Sequence, residues 1–384
     1  MNIRAFSDMN MEKQKKRICI YCKRWASGGI ESYLTNLLTR IDLVELEADL
    51  VCVVRQESIF TPTLAARGIQ FVELLGNGGG PAHAAWAFIK LLRRRRYDLV
   101  YLNIFHAGEL AFAFLAGVCG VPVRIAHSHN TALRRSCFRF LKLWLHCLSR
   151  RLFSASPTAL WACSRSAGVF CFSPKAIQRK GLRIVPNGID VERFRFRADG
   201  RDAARHELGL DGTFVVGNVG RYSRQKNQRF LLYVFAELRK RFPQSRLLLV
   251  GDGEERTALC QLAAKLHVED GVIFYGNSTQ VEKLYWAMDV FAFPSLFEGL
   301  GIVAIEAQAA GLPVLCSERV PDEAFILPSA VRMSLDDGVE RWVEALLSCA
   351  TDRTDRSHCA DDVRRAGYHA DDAAVAVEAA FEHI

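Results

Sequence analysis

Proline is sparse in this chain, 11 of 384 residues, while 50% of the residues are apolar and 24% are charged. That balance excludes disordered, collagenous and low-complexity classes, because there is ample apolar surface to bury. Long apolar runs are also missing. The longest, Leu110 to Val123, holds 14 residues with two glycines inside it, short of the roughly 20 that span a bilayer. Residues 1–16 carry charges and no continuous apolar stretch, so no signal peptide is expected and the chain is read as cytoplasmic. Its 12 cysteines are scattered through apolar segments rather than spaced as a disulfide or metal framework. Cys19 and Cys22 do read C-x-x-C, but inside a run expected to be a strand. A three-residue offset there sends the two side chains to opposite faces. Neither G-x-G-x-x-G nor G-x-x-x-x-G-K occurs, which removes the usual dinucleotide and P-loop signatures.

Acidic residues are absent from one long stretch, Leu110 to Val185. Residues 1–185 hold 27 Lys and Arg against 11 Asp and Glu, a net of +16, and the remainder has 23 against 31, a net of −8. A basic half joined to an acidic half suggests that the first half faces something polyanionic. Nucleic acid, anionic lipid and a phosphorylated substrate are the candidates.

Short β-rich runs alternate with helical patterns from end to end, which argues for βαβ units on parallel sheets. Length alone suggests two domains. The chain is accordingly divided into a flexible N-terminal segment (1–16), a Rossmann-like domain (17–186), a linker (187–210), a second Rossmann-like domain (211–370) and a C-terminal helix (371–384). That last helix is a candidate to pack back on the first domain. The linker is placed where Pro186-Asn187-Gly188-Ile189-Asp190 punctuates the pattern and apolar periodicity lapses. The expected fold class is thus α/β, with two doubly wound parallel sheets facing a cleft. Ligands of such sheets bind outside the carboxyl ends of the strands.

Three post-strand loops carry chemistry. After an expected strand at Val290–Phe293 comes Pro294-Ser295-Leu296-Phe297-Glu298-Gly299-Leu300-Gly301-Ile302, and Glu306 lies about one turn into the following helix. Its glycines let backbone approach a ligand, and the helix start offers free N–H groups and a positive dipole end to a phosphate. Carboxylates beside a phosphate suit sugar and ribose hydroxyls. After Phe214–Gly220, Arg221 and Lys226 sit in one strand-to-helix loop, where two cations could clamp a diphosphate. Gly28-Gly29 follows the first strand; alone, it reads as a tight βα turn.

Together, F-E-G-L-G-I-V-A-I-E-A, G-R-Y-S-R-Q-K-N, P-N-G-I-D and the early G-G-I-E resemble retaining GT-B glycosyltransferases of the group-1 (family 4) type. Ile125-Ala126-His127-Ser128-His129-Asn130, C-S-R-S-A at 163–167 and E-A-Q-A-A-G-L-P at 306–313 resemble the exopolysaccharide and capsule branch. Where those relatives often carry proline, this chain has Gly301. The resemblance implies that Arg221 and Lys226 bind the diphosphate of a nucleotide-sugar donor, expected to be UDP-linked. It further implies that Glu306 takes the ribose, Glu298 the hydroxyls of the transferred sugar, and that Gly29 closes over the phosphates from the other domain. Gly220, Gly299, Leu300, Gly301 and Ile302 complete the donor site. One active histidine is implied near the sugar; His127 is preferred to His129. No metal and no cofactor beyond the co-substrate is expected, since no two aspartates stand at D-x-D spacing. Cations and a helix dipole would neutralise the leaving diphosphate instead.

The expected acceptor is lipid-linked or an oligosaccharide, in surface polysaccharide synthesis. A helix expected at Leu133–Phe153 carries Arg134, Arg135, Arg139, Lys142, Arg150 and Arg151 among large apolar residues, a composition suited to an anionic membrane surface. The same pattern also suits a helix packed on the sheet with solvated cations. A sugar-nucleotide-binding scaffold without turnover is the alternative function. Nucleic acid is not expected as a partner, because the basic residues form no recognised motif or aromatic platform.

Overall fold

A computed structural model describes residues 15–26, 28–76, 78–133, 139–351 and 355–382. Residues 1–14 of the segment expected to be flexible, and Arg134 and Arg135 of the expected basic helix, lie outside those described.

Seven strands form the first sheet: β1 (Lys16–Trp25), β2 (Leu46–Arg55), β3 (Gln70–Glu73), β4 (Leu99–Ile104), β5 (Val123–Ser128), β6 (Ala159–Ala162) and β7 (Arg183–Ile184). Their order is β3-β2-β1-β4-β5-β6-β7, and every pairing is parallel. Six more form the second: β8 (Phe214–Val219), β9 (Ser245–Val250), β10 (Val272–Gly276), β11 (Val290–Phe293), β12 (Val314–Ser317) and β13 (Ala330–Met333), ordered β10-β9-β8-β11-β12-β13 and again parallel throughout. A parallel sheet is covered by helices on both faces, so its central strands read as continuous apolar runs. Every residue of β4 is buried, as is every residue of β11. On β1, Cys19 and Tyr21 enter one core while Ile18, Ile20 and Cys22 enter the other. The C-x-x-C pair is therefore split across the sheet, each thiol held protonated by burial.

Strand order reverses between β1 and β4 in the first sheet and between β8 and β11 in the second, with successive strands added on opposite sides of that point. These are the switch points where the loops leaving adjacent strands part and open a crevice. The three loops singled out from sequence leave β1, β8 and β11.

Residues 187–210, expected as a polar linker, are instead largely helical, with helices at Val191–Phe194 and Ala198–Leu208. Arg205 bonds Asp289 at 3.2 Å, and Trp286 Nε1 donates to Phe194 O at 3.2 Å, so the segment packs on the second domain. Its longer helix has Ala198, Ala203, Ala204 and Leu208 as its only apolar residues, too few to show an apolar stripe. The C-terminal helix, Ala370–Glu382, places Ala373, Ala374, Val377 and Phe381 in the core of the first domain, and Arg40 pairs with Asp371 at 2.7 Å.

Candidate active site

Lys226 and Glu298, assigned separate roles from sequence, are direct partners: Nζ donates to Oε1 at 2.9 Å, with only 16% and 8% of the two side chains exposed. The ammonium also stands 4.7 Å above the Phe293 ring, a cation–π contact. Gly220 precedes this loop with φ +149°, and a Cβ on it would meet the Lys226 stem at 3.2 Å. The glycine thus frees the path along which Lys226 reaches the cleft. Arg221 is half exposed, and its Nε donates to Glu254 at 2.8 Å. Its charge reaches across to Glu31 of the first domain, a buried carboxyl whose pKa burial raises and Arg24 and Arg221 pull back.

The loop after β11 is held from both domains. Leu296 N donates to Gln225 O at 2.8 Å, and Gln225 Nε2 to Phe297 O at 3.0 Å. From the first domain, Thr131 Oγ1 donates to Glu298 O and Ser164 Oγ to Gly299 O, each at 2.6 Å. A side chain on Gly299 would lie 1.9 Å from the His129 carbonyl. Only glycine fits there while the domains meet. Gly29 faces Ile302 across the same seam, 3.7 Å from its methyl to the position of a Cβ, and Leu300 is buried beneath. Gly301 caps the helix Ile302–Ala309 at φ +92° and supplies no side-chain acceptor, so the first-turn N–H groups lack a side-chain cap. Such a helix start attracts an anion. One turn in, Glu306 accepts from Tyr285 Oη at 2.8 Å. Burial raises its pKa, while the Tyr285 hydroxyl and the charges of Arg193 and Lys226 oppose that rise.

The two histidines at the end of β5 are both buried. His127, preferred from sequence, is fully buried with both ring nitrogens engaged, Nδ1 to Tyr101 Oη at 2.6 Å and Nε2 to Val185 O at 3.0 Å. Burial holds its pKa well below the ordinary value. Those are the bonds of a structural histidine. His129 has Nε2 3.0 Å from Asn103 Oδ1, while its buried Nδ1 makes no close hydrogen bond and the Asn187 side chain interacts with the ring. Burial lowers its pKa to about 3, so the ring is neutral.

Thr131, Ser164, Asn103 and Tyr285 were not assigned from sequence. Ser164 and His129 lay inside the quoted runs C-S-R-S-A and I-A-H-S-H-N, whereas Tyr285 carried no signal beyond an apolar helix. Among the described residues, no group of three or more His, Cys, Asp or Glu side chains is arranged to hold a metal ion.

The profile of the family "Glycosyl transferases group 1" matches residues 200–365, and that of "Glycosyltransferase Family 4" matches residues 27–193. Over 366 residues the chain is 28% identical to "Putative glycosyltransferase EpsF" of Bacillus subtilis (strain 168), covering 94% of each chain. It is 29% identical over 240 residues, 59% of each chain, to the UDP-Gal:alpha-D-GlcNAc-diphosphoundecaprenol alpha-1,3-galactosyltransferase of Escherichia coli. Among solved structures, Alr3699/HepE of Anabaena in complex with UDP-glucose superposes with a TM-score of 0.77 at 19% identity, covering 96% of this chain and 100% of that one. WaaG, a glycosyltransferase involved in lipopolysaccharide biosynthesis, superposes with a TM-score of 0.71 at 17% identity, covering 91% and 94%. Both likenesses bear on the fold.

Proposed function

We propose that this chain, which belongs to the group-1 glycosyltransferases of GT-B fold, moves a sugar from a UDP-linked donor to a lipid-linked acceptor at the membrane, with retention and without a metal. The observation that carries the reading is the Lys226–Glu298 pair at the uncapped start of the Ile302–Ala309 helix. Breaking the bond between sugar and diphosphate builds negative charge on the leaving group. Lys226, Arg221 and the helix start face that charge with cations and oriented N–H groups already in place, which is how electrostatic preorganisation lowers a barrier. Glu298, tethered by Lys226, then offers its second oxygen to sugar hydroxyls. Glu306 is set by Tyr285 to accept from a ribose diol. The backbone carbonyl of His129 borders the loop that carries Glu298.

Several features support a lipid-linked acceptor. The Escherichia coli relative acts, by its name, on a GlcNAc-diphosphoundecaprenol. In this chain the helix Arg139–Phe153 leaves Phe140, Leu141, Trp144 and Leu152 more than half exposed beside Lys142 and Arg151, in a stretch that has no acidic residue. Apolar side chains interleaved with cations suit an anionic membrane face. No helix among the described residues is long and apolar enough to cross a membrane, so attachment would be peripheral.

The test is to incubate the full chain with UDP-glucose, UDP-galactose and UDP-N-acetylglucosamine, each with a polyprenyl-diphosphate sugar acceptor, and to follow UDP release and product. Transfer that persists in excess EDTA and yields a product with the donor's anomeric configuration is expected. Donor binding without transfer across a broader acceptor panel would favour a scaffold, and a rate that collapses with EDTA and returns with Mg²⁺ would remove the metal-free mechanism.

A further inference from the structure

A second polar cluster stands on the first domain's wall of the cleft, where β1 and β4 end. Lys23 Nζ lies 2.9 Å from His106 Nε2, and that nitrogen lies 3.2 Å from Glu109 Oε1. Lys23 is exposed, His106 is 30% exposed and Glu109 only 3%. Glu109 Oε1 makes no hydrogen bond, and neither does the buried hydroxyl of Tyr21. Nε2 thus stands between a donor, the Lys23 ammonium, and an acceptor, the Glu109 carboxyl, and accepts from the ammonium when the ring proton is on Nδ1. Burial, reinforced by the charges of Lys23 and Lys142, lowers the His106 pKa to about 4, and burial pushes Glu109 up to about 7. This arrangement has a cation turned to solvent, a neutral ring able to take a proton and a buried acid behind it. Of these groups, the Lys23 ammonium is the one left open to an anion from solution.

Its position says which anion. Cys22 is in register with Asn103, and Asn103 bonds His129, whose carbonyl abuts Gly299 of the donor loop. On the other side, Ala107 N donates to His146 Nδ1 at 3.2 Å, which ties the turn carrying His106 and Glu109 to the exposed apolar helix Arg139–Phe153. The cluster therefore lies between the donor loop and the face assigned to lipid. A phosphate that joins a glycan to its lipid must occupy that interval when the glycan reaches the donor and the lipid stays on the helix.

We propose that Lys23 and His106, backed by Glu109 and flanked by Lys142, bind the phosphate through which the acceptor sugar is joined to its lipid. The proposal rests on the lipid-linked acceptor reading above. An arriving phosphate draws the Lys23 ammonium off the ring, and Nε2, released, takes up a proton and donates to the anion. Charge-assisted contacts of this kind are the stronger class of hydrogen bond.

The test measures binding to the full chain with UDP saturating, so that the donor site is filled. The probes are farnesyl diphosphate, inorganic pyrophosphate and farnesol. Lys23→Gln and His106→Gln are each expected to weaken farnesyl diphosphate by at least about tenfold, the loss of one charge-assisted contact. Pyrophosphate should bind more weakly and lose in proportion, farnesol should be indifferent, and UDP affinity should stay within about twofold of the wild type. The His106 ring, neutral in the free protein at pH 7, should become protonated when farnesyl diphosphate is added, as read by its carbon-bound proton shifts. Unchanged farnesyl diphosphate affinity in both variants, an unmoved His106 resonance, or a parallel fall in UDP affinity would overturn the assignment. If farnesyl diphosphate weakens and pyrophosphate does not bind at all, the phosphate is recognised only as part of a lipid. If both bind alike, the site takes free phosphate, and the lipid assignment fails. Absence of sugar transfer with every donor would sink the reaction assigned above and leave these binding results standing.

Discussion

Replacing Lys226 with methionine removes one ammonium and keeps most of the stem that packs over Phe293. Two consequences follow from the geometry. The Glu298 carboxylate, 8% exposed, loses its 2.9 Å partner, and on the proposed mechanism the leaving diphosphate loses a donor placed before the reaction begins. Removing one preorganised donor from a site of developing charge typically costs about 2–4 kcal/mol in the transition state. At about 1.36 kcal/mol per decade, that is a fall of roughly 30- to 900-fold in kcat. Folding stability should fall less than the 3–5 kcal/mol typical of breaking a fully buried pair, because Lys226 retains 16% exposure and water can reach Glu298. UDP release under saturating donor, read beside a thermal melt of the same variant, separates the two effects. Glu298→Gln should slow turnover as well, and the double variant should cost less than the sum, since both changes delete one shared bond. Wild-type kcat in a folded Lys226→Met protein would refute the reasoning. A rise in KM with kcat unchanged would do so too, by showing that Lys226 holds ground state and transition state equally.

Tyr285→Phe removes the hydroxyl that orients Glu306. It should weaken UDP by roughly 1 kcal/mol, measured by calorimetry, and the loss should vanish with 2′,3′-dideoxy-UDP; an equal loss with both nucleotides would place Tyr285 outside ribose recognition. The full chain should sediment with anionic vesicles at low salt, release at high salt and ignore neutral vesicles, because each cation near the surface contributes about 1 kcal/mol that salt screens. Phe140→Ser with Trp144→Ser should abolish sedimentation and leave UDP affinity unchanged, since both side chains lie on the exposed face of the first domain; retention of vesicle binding would return that helix to a purely structural role.

Much of the fold was legible because parallel sheets impose their own pattern. A strand buried on both faces must read as a short apolar run, and β4 and β11 do, with Leu99-Val100-Tyr101-Leu102 and Val290-Phe291-Ala292-Phe293. The same physics hid the helices at Val191–Phe194 and Ala198–Leu208. Those helices are held less by an apolar stripe than by Arg201 and Arg205 on Asp289, some 85 residues away, and by Trp286 against Phe194. No local window contains both halves of such a contact. β13 carries little strand signal for a related reason: Val331 and Arg332 on that edge strand are exposed, so its pattern resembles a loop.

Within the site, the loops were legible and the partnerships were not. Glycine spacing reports backbone demands that are local, and Gly220, Gly299 and Gly301 each stand where a Cβ or an ordinary φ is excluded. A pairing such as Lys226 with Glu298 joins loops after two different strands, and Ser164 with Gly299 joins two domains; both depend on a sheet order that spacing does not encode. The histidines show the same limit. Strand parity puts His127 and His129 on one side of β5, and it cannot tell which ring meets Tyr101 and Val185 and which meets Asn103. The seam carries the functional consequence. Thr131 and Ser164 engage the carbonyls of Glu298 and Gly299, so the loop after β11 is held from the first domain. The backbone of the loop that carries Glu298, the group proposed to read the donor sugar, is thus fixed by side chains of the first domain.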